Sequence, residues 1–567
     1  MQMLTLYKWW QTAVFYQIYP RSFADGNGDG IGDLKGMIIK LDYLQELGVD
    51  AVWLSPHFPS PNVDCGYDIS NYTAVAPEYG TMEEFKEFLD GLHQRGMRLV
   101  LDLVLNHTSD QHTWFAESRS SLDNPKRDWY IWRKGKGGNP PNNWYSTFGG
   151  SAWELDPATG EYFYHFFFKE QPDLNWHNPE VKKALFDAAR FWLDLGVDGF
   201  RLDAIGTLFE DESYLDQPVK ESQYDLFLRE NTTTSVEEKQ AIGKLWEEMF
   251  QYQHDLPEVH QVMRELRQVI NQYPDRVLIG ETDDIAFYGK GDDELQLNFN
   301  FPLMRPKQLT AEHVRTNQAE RLSRLPTGAW PCNTLGNHDT PRMHSYFGDG
   351  VHNDQQARLH LLLLLTLKGT PFLYNGEEIG MQDFVFADRE LFKDSSALFV
   401  HKVCTEVFHL DESAAAQKAA EFGRDKNRTP MQWSDGQNAG FSPAGVTTWL
   451  PVNPDHLHGA NVASQMERND SLWHYYQELL RLRKTLPALV IGDFMEYSTN
   501  NTDVYGFIRS TDSQKLLVLI NLGPAECKVP ASKGAKVLFR SADGVDKISD
   551  DTILLKPFTG AVLSIDE

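Results

Sequence analysis

The sequence predicts an α/β fold, a (β/α)8 TIM barrel with an insertion after strand 3 and a C-terminal all-β sandwich domain. Three observations carry that prediction. Strand-length apolar runs alternate with amphipathic helical stretches, polar residues gather at the C-terminal ends of those runs, and after about Pro487 the pattern changes to short alternating strands. Continuous apolar runs suit parallel strands buried on both faces, and eight of them alternating with helices suit a closed barrel.

The runs, in order, are VFYQIYP (14–20), AVWLSP (51–56), LVLDLVLNH (99–107), GFRLDA (199–204), VLIGE (277–281), LQLNFNFP (295–302), CNTLGNHD (332–339) and TPFLYNGEE (370–378). Between them lie stretches such as MEEFKEFLDGLHQRG and VKKALFDAARFWLDLG, each ending near a glycine stop. Residues 108–175 break the rhythm, being rich in Trp, Tyr, Phe, Gly, Pro and Asn with little helical periodicity. An insertion of that length on a barrel's C-terminal face is usually functional. The predicted organisation is a barrel over 1–107 and 176–487, a loop-rich insertion over 108–175, and a β domain over 488–567 containing VYGFIRS, KLLVLINL, AKVLFR and TILLKPFTGAVLSI.

Composition narrows the chemistry. A chain of 567 residues, 41% hydrophobic and 24% charged, is a globular protein of more than one domain. Its 53 basic against 81 acidic residues give a net charge of −28, which repels nucleic acid and anionic membranes and suits a neutral substrate. Solubility is the plainer reading of that charge. Cys65, Cys332, Cys404 and Cys527 show no CxxC or CxxH spacing, so reduced thiols in a cytoplasmic protein are expected rather than a disulfide framework or a zinc site. No signal segment is read at the start, and the run LLLLL (361–365), flanked by charged residues, reads as a buried helix rather than a membrane span.

Candidate chemistry sits at the strand ends. The third run carries Asp102, Asn106 and His107; the fourth Arg201 and Asp203; the fifth ends at Glu281; the seventh ends in Asn337, His338 and Asp339. A single strand-end Asp often does no more than cap the next helix. Three carboxylates in order on successive strands, with two His and an Arg, instead suit hydrolysis of a glycosidic bond. One acid must attack the anomeric carbon while a second stays protonated to serve the leaving oxygen. Arg201 lies two residues before Asp203 and shares its strand face, so its cation can keep the nucleophile ionised.

The strings DLVLNH, GFRLDA, IGE and LGNHD resemble the four signature regions of the α-amylase superfamily, in that family's order. QPDLNW (171–176) resembles the fifth region of its α-glucosidase and oligo-1,6-glucosidase branch. The resemblance implies Asp203 as nucleophile, Glu281 as acid/base and Asp339 as the third acid. It places Arg201 beside the nucleophile, and His107 and His338 on glucose hydroxyls. It also implies that Tyr67 stacks on the terminal glucose, and that Asp68 and Arg428 grip that sugar's far hydroxyls to make a dead-end pocket; an ordinary ion pair is the alternative. Phe148 and Phe168 are candidates for the aglycone side.

The loop Asp25-Gly-Asn27-Gly-Asp29-Gly-Ile31-Gly-Asp33 alternates oxygen ligands with glycines, like the start of an EF-hand, but its twelfth position is Gly36 rather than Glu. The resemblance implies a structural Ca2+ or Mg2+ on Asp25, Asn27, Asp29, the Ile31 carbonyl and Asp33; a metal-free glycine turn is the alternative. No cofactor is expected for catalysis. The expected activity is exo-acting, retaining release of α-glucose from short neutral α-glucosides, with transglucosylation. Ala204 after the nucleophile resembles the α-1,4-preferring members. Alternatives are an oligo-1,6-glucosidase, an isomerising relative of the trehalose synthase or sucrose isomerase type, and a non-catalytic relative like a transporter heavy chain.

Overall fold

The computed structural model describes residues 6–566 apart from Asp292 and Asp550. Eight parallel strands form the barrel: β1 (Phe15–Ile18), β2 (Ala51–Leu54), β3 (Arg98–Val104), β4 (Gly199–Asp203), β5 (Val277–Gly280), β6 (Leu297–Asn298), β7 (Cys332–Thr334) and β8 (Thr370–Tyr374). Each falls on one of the eight apolar runs. The ladder runs β7-β8-β1-β2-β3-β4-β5-β6. β6 is short, and Arg321 donates to the Asn298 carbonyl at 2.6 Å, taking an acceptor that a longer ladder would use. Side chains bridge the last seam: Asn300 donates to Asn333 at 3.0 Å, and Asn300 and Asn317 exchange amide bonds at 2.9 and 3.0 Å.

Alternate residues of these strands point inward, and that face changes character along its length. Phe15, Ala51, Val100, Val277, Ile279, Leu297 and Phe372 pack in one apolar cluster. Continuing toward the C-terminal ends, the same face presents Gln17, Asp102, Arg201, Asp203 and Glu281. Register brings Asp102 level with Arg201 across β3 and β4. Gly199 lets β4 and β5 approach, since a Cβ there would meet the Val277 carbonyl oxygen at 2.2 Å.

The two helices read from the sequence form as expected. Met82–Gln94 starts on a Thr81/Glu84 capping box and buries Phe85, Phe88 and Leu92. Pro179–Leu195 is capped by Asn178, stops at Gly196 in the left-handed region, and buries Leu185, Ala189 and Trp192. The leucine run lies in helix Asn353–Thr366, buried nearly all round. Its C-terminal carbonyls have no partners within the helix. Arg509, from the β domain, donates to the Thr366 and Leu367 carbonyls at 2.7 and 2.8 Å, tying that domain to the barrel.

The insertion is more ordered than its composition suggested. It holds helix Thr113–Ser120 and a three-stranded antiparallel sheet of Trp132–Arg133, Glu161–Tyr164 and Trp153–Asp156. Most of its aromatics pack on one another, with Trp144, Trp153, Tyr164 and Phe166 in one core. Two further excursions rise from the same barrel face. Helices Gln223–Thr232 and Val236–Phe250 follow β4, and helices Ser395–Glu406 and Glu412–Phe422 follow β8. Their helical periodicity matches that of barrel helices, so sequence patterning does not separate them.

The C-terminal domain is a sandwich. A five-stranded antiparallel sheet faces a three-stranded one, with Leu517, Leu519, Val529, Ile553 and Leu555 between them. Among the described residues all four cysteines are buried and free, and no helix is long and apolar enough to cross a membrane.

Candidate active site

The site forms around Arg201, whose guanidinium is 1% exposed. Nη1 donates to Asp102 Oδ1 and to Asp203 Oδ1, each at 2.6 Å, and Nη2 meets Glu281 Oε1 at 2.6 Å. One planar cation therefore binds three carboxylates from three neighbouring strands. Asp102 also accepts from the Trp53 indole at 2.9 Å and from the Tyr67 hydroxyl at 3.3 Å. The other oxygen of Glu281 accepts the Ala204 amide at 2.8 Å. Ala204 sits in the left-handed region at φ 42°, an unusual conformation for a residue with a Cβ, and this turns its N–H onto the acid. Asp203 and Glu281 take adjacent positions on a shared cation.

The third acid stands opposite. Asp339 accepts from Arg428 at 2.6 Å and from Arg424 at 3.1 Å, and lies 3.0 Å from His338 Nε2. His338 is fixed by Gln17, 2.6 Å from Nδ1, and by the Tyr67 hydroxyl, 2.7 Å from Nε2. Tyr67 stacks on His338 with the rings 6° from parallel. With the Gln17 amide donating to Nδ1, the imidazole proton sits on Nε2, toward Asp339 and Tyr67. His107 lies beneath Gln171, whose Nε2 is 2.9 Å from its own Nε2. Gln171 opens the QPDLNW segment, so that segment reaches the site through its first residue.

Two expectations need correction. Asp68 does not meet Arg428. Its carboxylate is fully buried, accepting from Ser60 at 2.8 Å and from the Asp64 and Val63 amides at 3.0 and 2.9 Å, so it braces its own loop. Arg428 is also sealed from solvent and lies behind Asp339, with its Nε on the His338 carbonyl at 2.8 Å. The pair that meets across the pocket is Asp64 and Arg424, at 2.8 Å. Arg424 also holds Asp394 at 2.8 Å. Each correction moves the residue by four positions, from Asp68 to Asp64 and from Arg428 to Arg424. Phe148 and Phe168 do come together near this end, their rings 4.2 Å apart and 17° from parallel, and the Arg424 guanidinium lies 5.9 Å from the Phe148 ring.

The glycine loop is closed by its own hydrogen bonds. Asp33 accepts from the Gly26, Asn27 and Gly36 amides, Asp25 from those of Gly28 and Gly30 and from the Ser442 hydroxyl, Asn27 from that of Asp29, and Asp29 from that of Ile31. The donor set has the hard oxygens a divalent cation prefers. As folded, however, those oxygens turn toward the chain, and among the described residues no three His, Cys, Asp or Glu side chains are grouped to hold an ion. The expected ligands are thus adjacent but not assembled.

Burial and unequal neighbours separate the acids. Burial pushes Asp102 and Asp203 up to about 6, with Arg201 opposing. Burial pushes Glu281 further, to about 8, because the charges of Asp203 and Asp339 add to it while Arg201 opposes. Burial would also raise Asp339, but the hydrogen bond from His338 and the charges of Arg428 and Arg424 outweigh it and hold the carboxyl well below its usual range. Burial lowers His338 and His107 to about 4, so both are neutral at pH 7. The site thus offers one carboxyl able to keep a proton near neutrality beside one that gives its proton up.

The α-amylase catalytic-domain family model matches residues 17–492. The chain belongs to the α-amylase family. It is 42% identical over 533 residues to an oligo-1,6-glucosidase of Parageobacillus thermoglucosidasius, covering 90% of each chain. It is 40% identical over 524 residues to a probable α-glucosidase of Rhizobium meliloti, covering 91% of this chain and 89% of that one. Among solved structures, the trehalulose synthase from Pseudomonas mesoacidophila MX-45 superposes with a TM-score of 0.87 at 36% identity, covering 99% of this chain and 100% of that one. An isomaltulose synthase from Erwinia rhapontici NX5, solved with its natural substrate sucrose, superposes with a TM-score of 0.86 at the same 36% identity and the same 99% and 100% coverage. The protein is accordingly a glycoside hydrolase of the family's glucosidase branch.

The sequence resemblance implies Asp203 as nucleophile and Glu281 as acid, and on that assignment kcat/KM requires Asp203 ionised and Glu281 protonated. Activity should therefore fall below about pH 6 and above about pH 8, the points to which burial and neighbouring charge push these two groups. The limbs belong to the coupled pair rather than to either acid alone. A profile flat from pH 5 to 9 would contradict this assignment.

Proposed function

We propose that this protein is an exo-acting, retaining α-glucosidase that releases α-glucose from the non-reducing end of short, neutral α-glucosides. The observation that carries the reading is Arg201 holding Asp203 and Glu281 side by side. Glu281 gives its proton to the leaving oxygen as Asp203 attacks the anomeric carbon, and the glycosidic bond breaks. A covalent β-glucosyl ester on Asp203 results. Glu281, now a carboxylate, takes a proton from water, whose oxygen displaces Asp203 and restores the α configuration. An acceptor sugar in place of that water gives transglucosylation. Tyr67, His107, His338 and Asp339 line the glucose position, and Asp64 with Arg424 closes its far end, which favours a terminal sugar over a chain passing through.

For linkage, Ala204 supports α-1,4 preference. The relatives described as oligo-1,6-glucosidases support an α-1,6 reading. The sucrose-isomerising neighbours favour a third, in which glucose is transferred back to the released sugar.

Product analysis by NMR separates these readings. With maltose, isomaltose and sucrose supplied in turn, α-glucose should appear first and mutarotate later, with maltose consumed fastest. First release of β-glucose would overturn retention, and sucrose converted to an isomer without free glucose would overturn hydrolysis. Asp203→Asn should cut turnover at least about a thousandfold with the fold intact.

We also propose that the glycine loop takes one structural Ca2+ or Mg2+ on Asp25, Asn27, Asp29, the Ile31 carbonyl and Asp33, exchanging some of its internal hydrogen bonds for the ion. Cation binding to the native state alone makes Tm rise with cation concentration. A melting temperature identical in chelator and in millimolar Ca2+ or Mg2+ would sink this proposal.

A further inference from the structure

The guanidinium that closes the glucose position is itself held from behind. Nε of Arg424 donates to Asp394 Oδ2 at 3.2 Å and Nη2 to Asp394 Oδ1 at 2.8 Å, a side-on bidentate grip. Nη2 also donates to Asp64 Oδ1 at 2.8 Å, and Nη1 to Asp339 Oδ1 at 3.1 Å. Of the five N–H donors of a guanidinium, the one remaining, on Nη1, meets no acceptor among the described residues. It is available to an oxygen of the sugar.

Asp394 cannot touch that sugar, because its side chain is 0% exposed against 18% for Arg424. Nor does its place in the fold require so much contact with Arg424. It caps helix Ser395–Glu406, and the cap takes a single bond, from the Ser396 amide at 3.1 Å. The rest of the carboxylate goes to Arg424, whose backbone amide adds a bond at 2.7 Å. Burial would raise this carboxyl, but the charge and hydrogen bond of Arg424 and the charge of Arg428 hold it well below the ordinary range, so the grip is ionic at neutral pH. The clasp is also reciprocal. Asp425 accepts from the Lys393 and Asp394 amides at 2.7 and 3.0 Å, and the Ser395 hydroxyl donates to the carbonyl of Val63, the neighbour of Asp64. The start of one helix therefore meets both loops that supply the end-closing pair.

We infer that Asp394 is a positioning residue for the terminal sugar: it fixes the plane of Arg424 so that Arg424 and Asp64 together select a glucose with a free 4-hydroxyl. The ring carbon opposite the anomeric carbon is C4, so with C1 at Asp203 that hydroxyl lies toward Arg424. The inference rests on the proposed glucosidase reading, in which Asp64 and Arg424 close the far end.

The test compares kcat/KM for 4-nitrophenyl α-glucoside and its 4-deoxy analogue in the wild-type chain, Asp394→Ser, Asp394→Asn, Arg424→Met and the Asp394→Ser, Arg424→Met double variant. Serine keeps a cap for the Ser396 amide but is too short to reach Arg424. Asparagine keeps the size and turns one acceptor facing Arg424 into a donor. The wild-type chain should prefer the parent glucoside by at least about tenfold, since a site built for a hydroxyl rejects the analogue lacking it. Either Asp394 variant should shrink that preference at least about fivefold, whereas in the Arg424→Met background Asp394→Ser should leave it within about twofold, the coupling of a pair that acts as one unit. A role in folding alone would lower Tm and slow both substrates together without moving the preference. That outcome, or an equal effect of Asp394→Ser with and without Arg424, overturns the inference. A wild-type chain that cleaves both glucosides alike keeps the glucosidase reading but removes the end-closing pair, and the inference with it. One that cleaves neither overturns the glucosidase reading itself, and the inference falls with that reading.

Discussion

One guanidinium, sealed from water, has to satisfy three carboxylates. If Asp102, Asp203 and Glu281 were all ionised around Arg201, the buried cluster would carry two uncompensated negative charges. At an effective dielectric of 20, two unit charges about 4 Å apart repel by about 4 kcal/mol, equivalent to about three pKa units. Protonating one member relieves that strain. Asp102 has Trp53 and Tyr67 as further donors, and Asp203 shares Nη1 with it. Glu281 sits on Nη2 and the Ala204 amide, yet burial with the charges of Asp203 and Asp339 pushes it the highest of the three, to about 8. The proton of the cluster is therefore held most tightly on Glu281.

The barrel supplies the geometry that makes the count unavoidable. Period two places Arg201 and Asp203 on one face of β4, and the parallel register puts Asp102 level with Arg201 on β3. Gly199 removes the side chain that would hold β5, and hence Glu281, away. The opposite wall is balanced differently. Asp339 has Arg428 and Arg424 within reach, so it remains a carboxylate, and Asp64 and Asp394 share the second of those cations. The two walls differ in their ratio of cations to carboxylates, and their protonation differs accordingly.

Much of this was legible in the sequence, and the exceptions have physical causes. Buried parallel strands are continuous apolar runs, so all eight were found, and the acids at their ends followed because strand direction fixes which end faces the site. Loops carry no such period. DCGYD (64–68) and RDKNR (424–428) place Asp64 and Asp68, or Arg424 and Arg428, four residues apart, and only the folded loops decide that Asp64 and Arg424 meet. Asp68 is consumed by the amides of Val63 and Asp64, a local bond that sequence spacing does not reveal. The glycine loop shows the same limit, since its oxygens serve backbone amides as readily as an ion. The insertion's small sheet escaped notice because its strands are two to four residues long and its aromatics follow no alternation.

The division of protons between Asp203 and Glu281 can be observed without substrate. Carboxyl 13C NMR on the chain labelled at Asp and Glu side chains, assigned through Asp203→Asn and Glu281→Gln, follows each acid through a pH titration. The account predicts that at pH 7 the Glu281 signal is largely that of a carboxylic acid while the Asp203 signal is that of a carboxylate. Finding Glu281 fully ionised at pH 7, with a midpoint near that of an ordinary exposed glutamate, would contradict it.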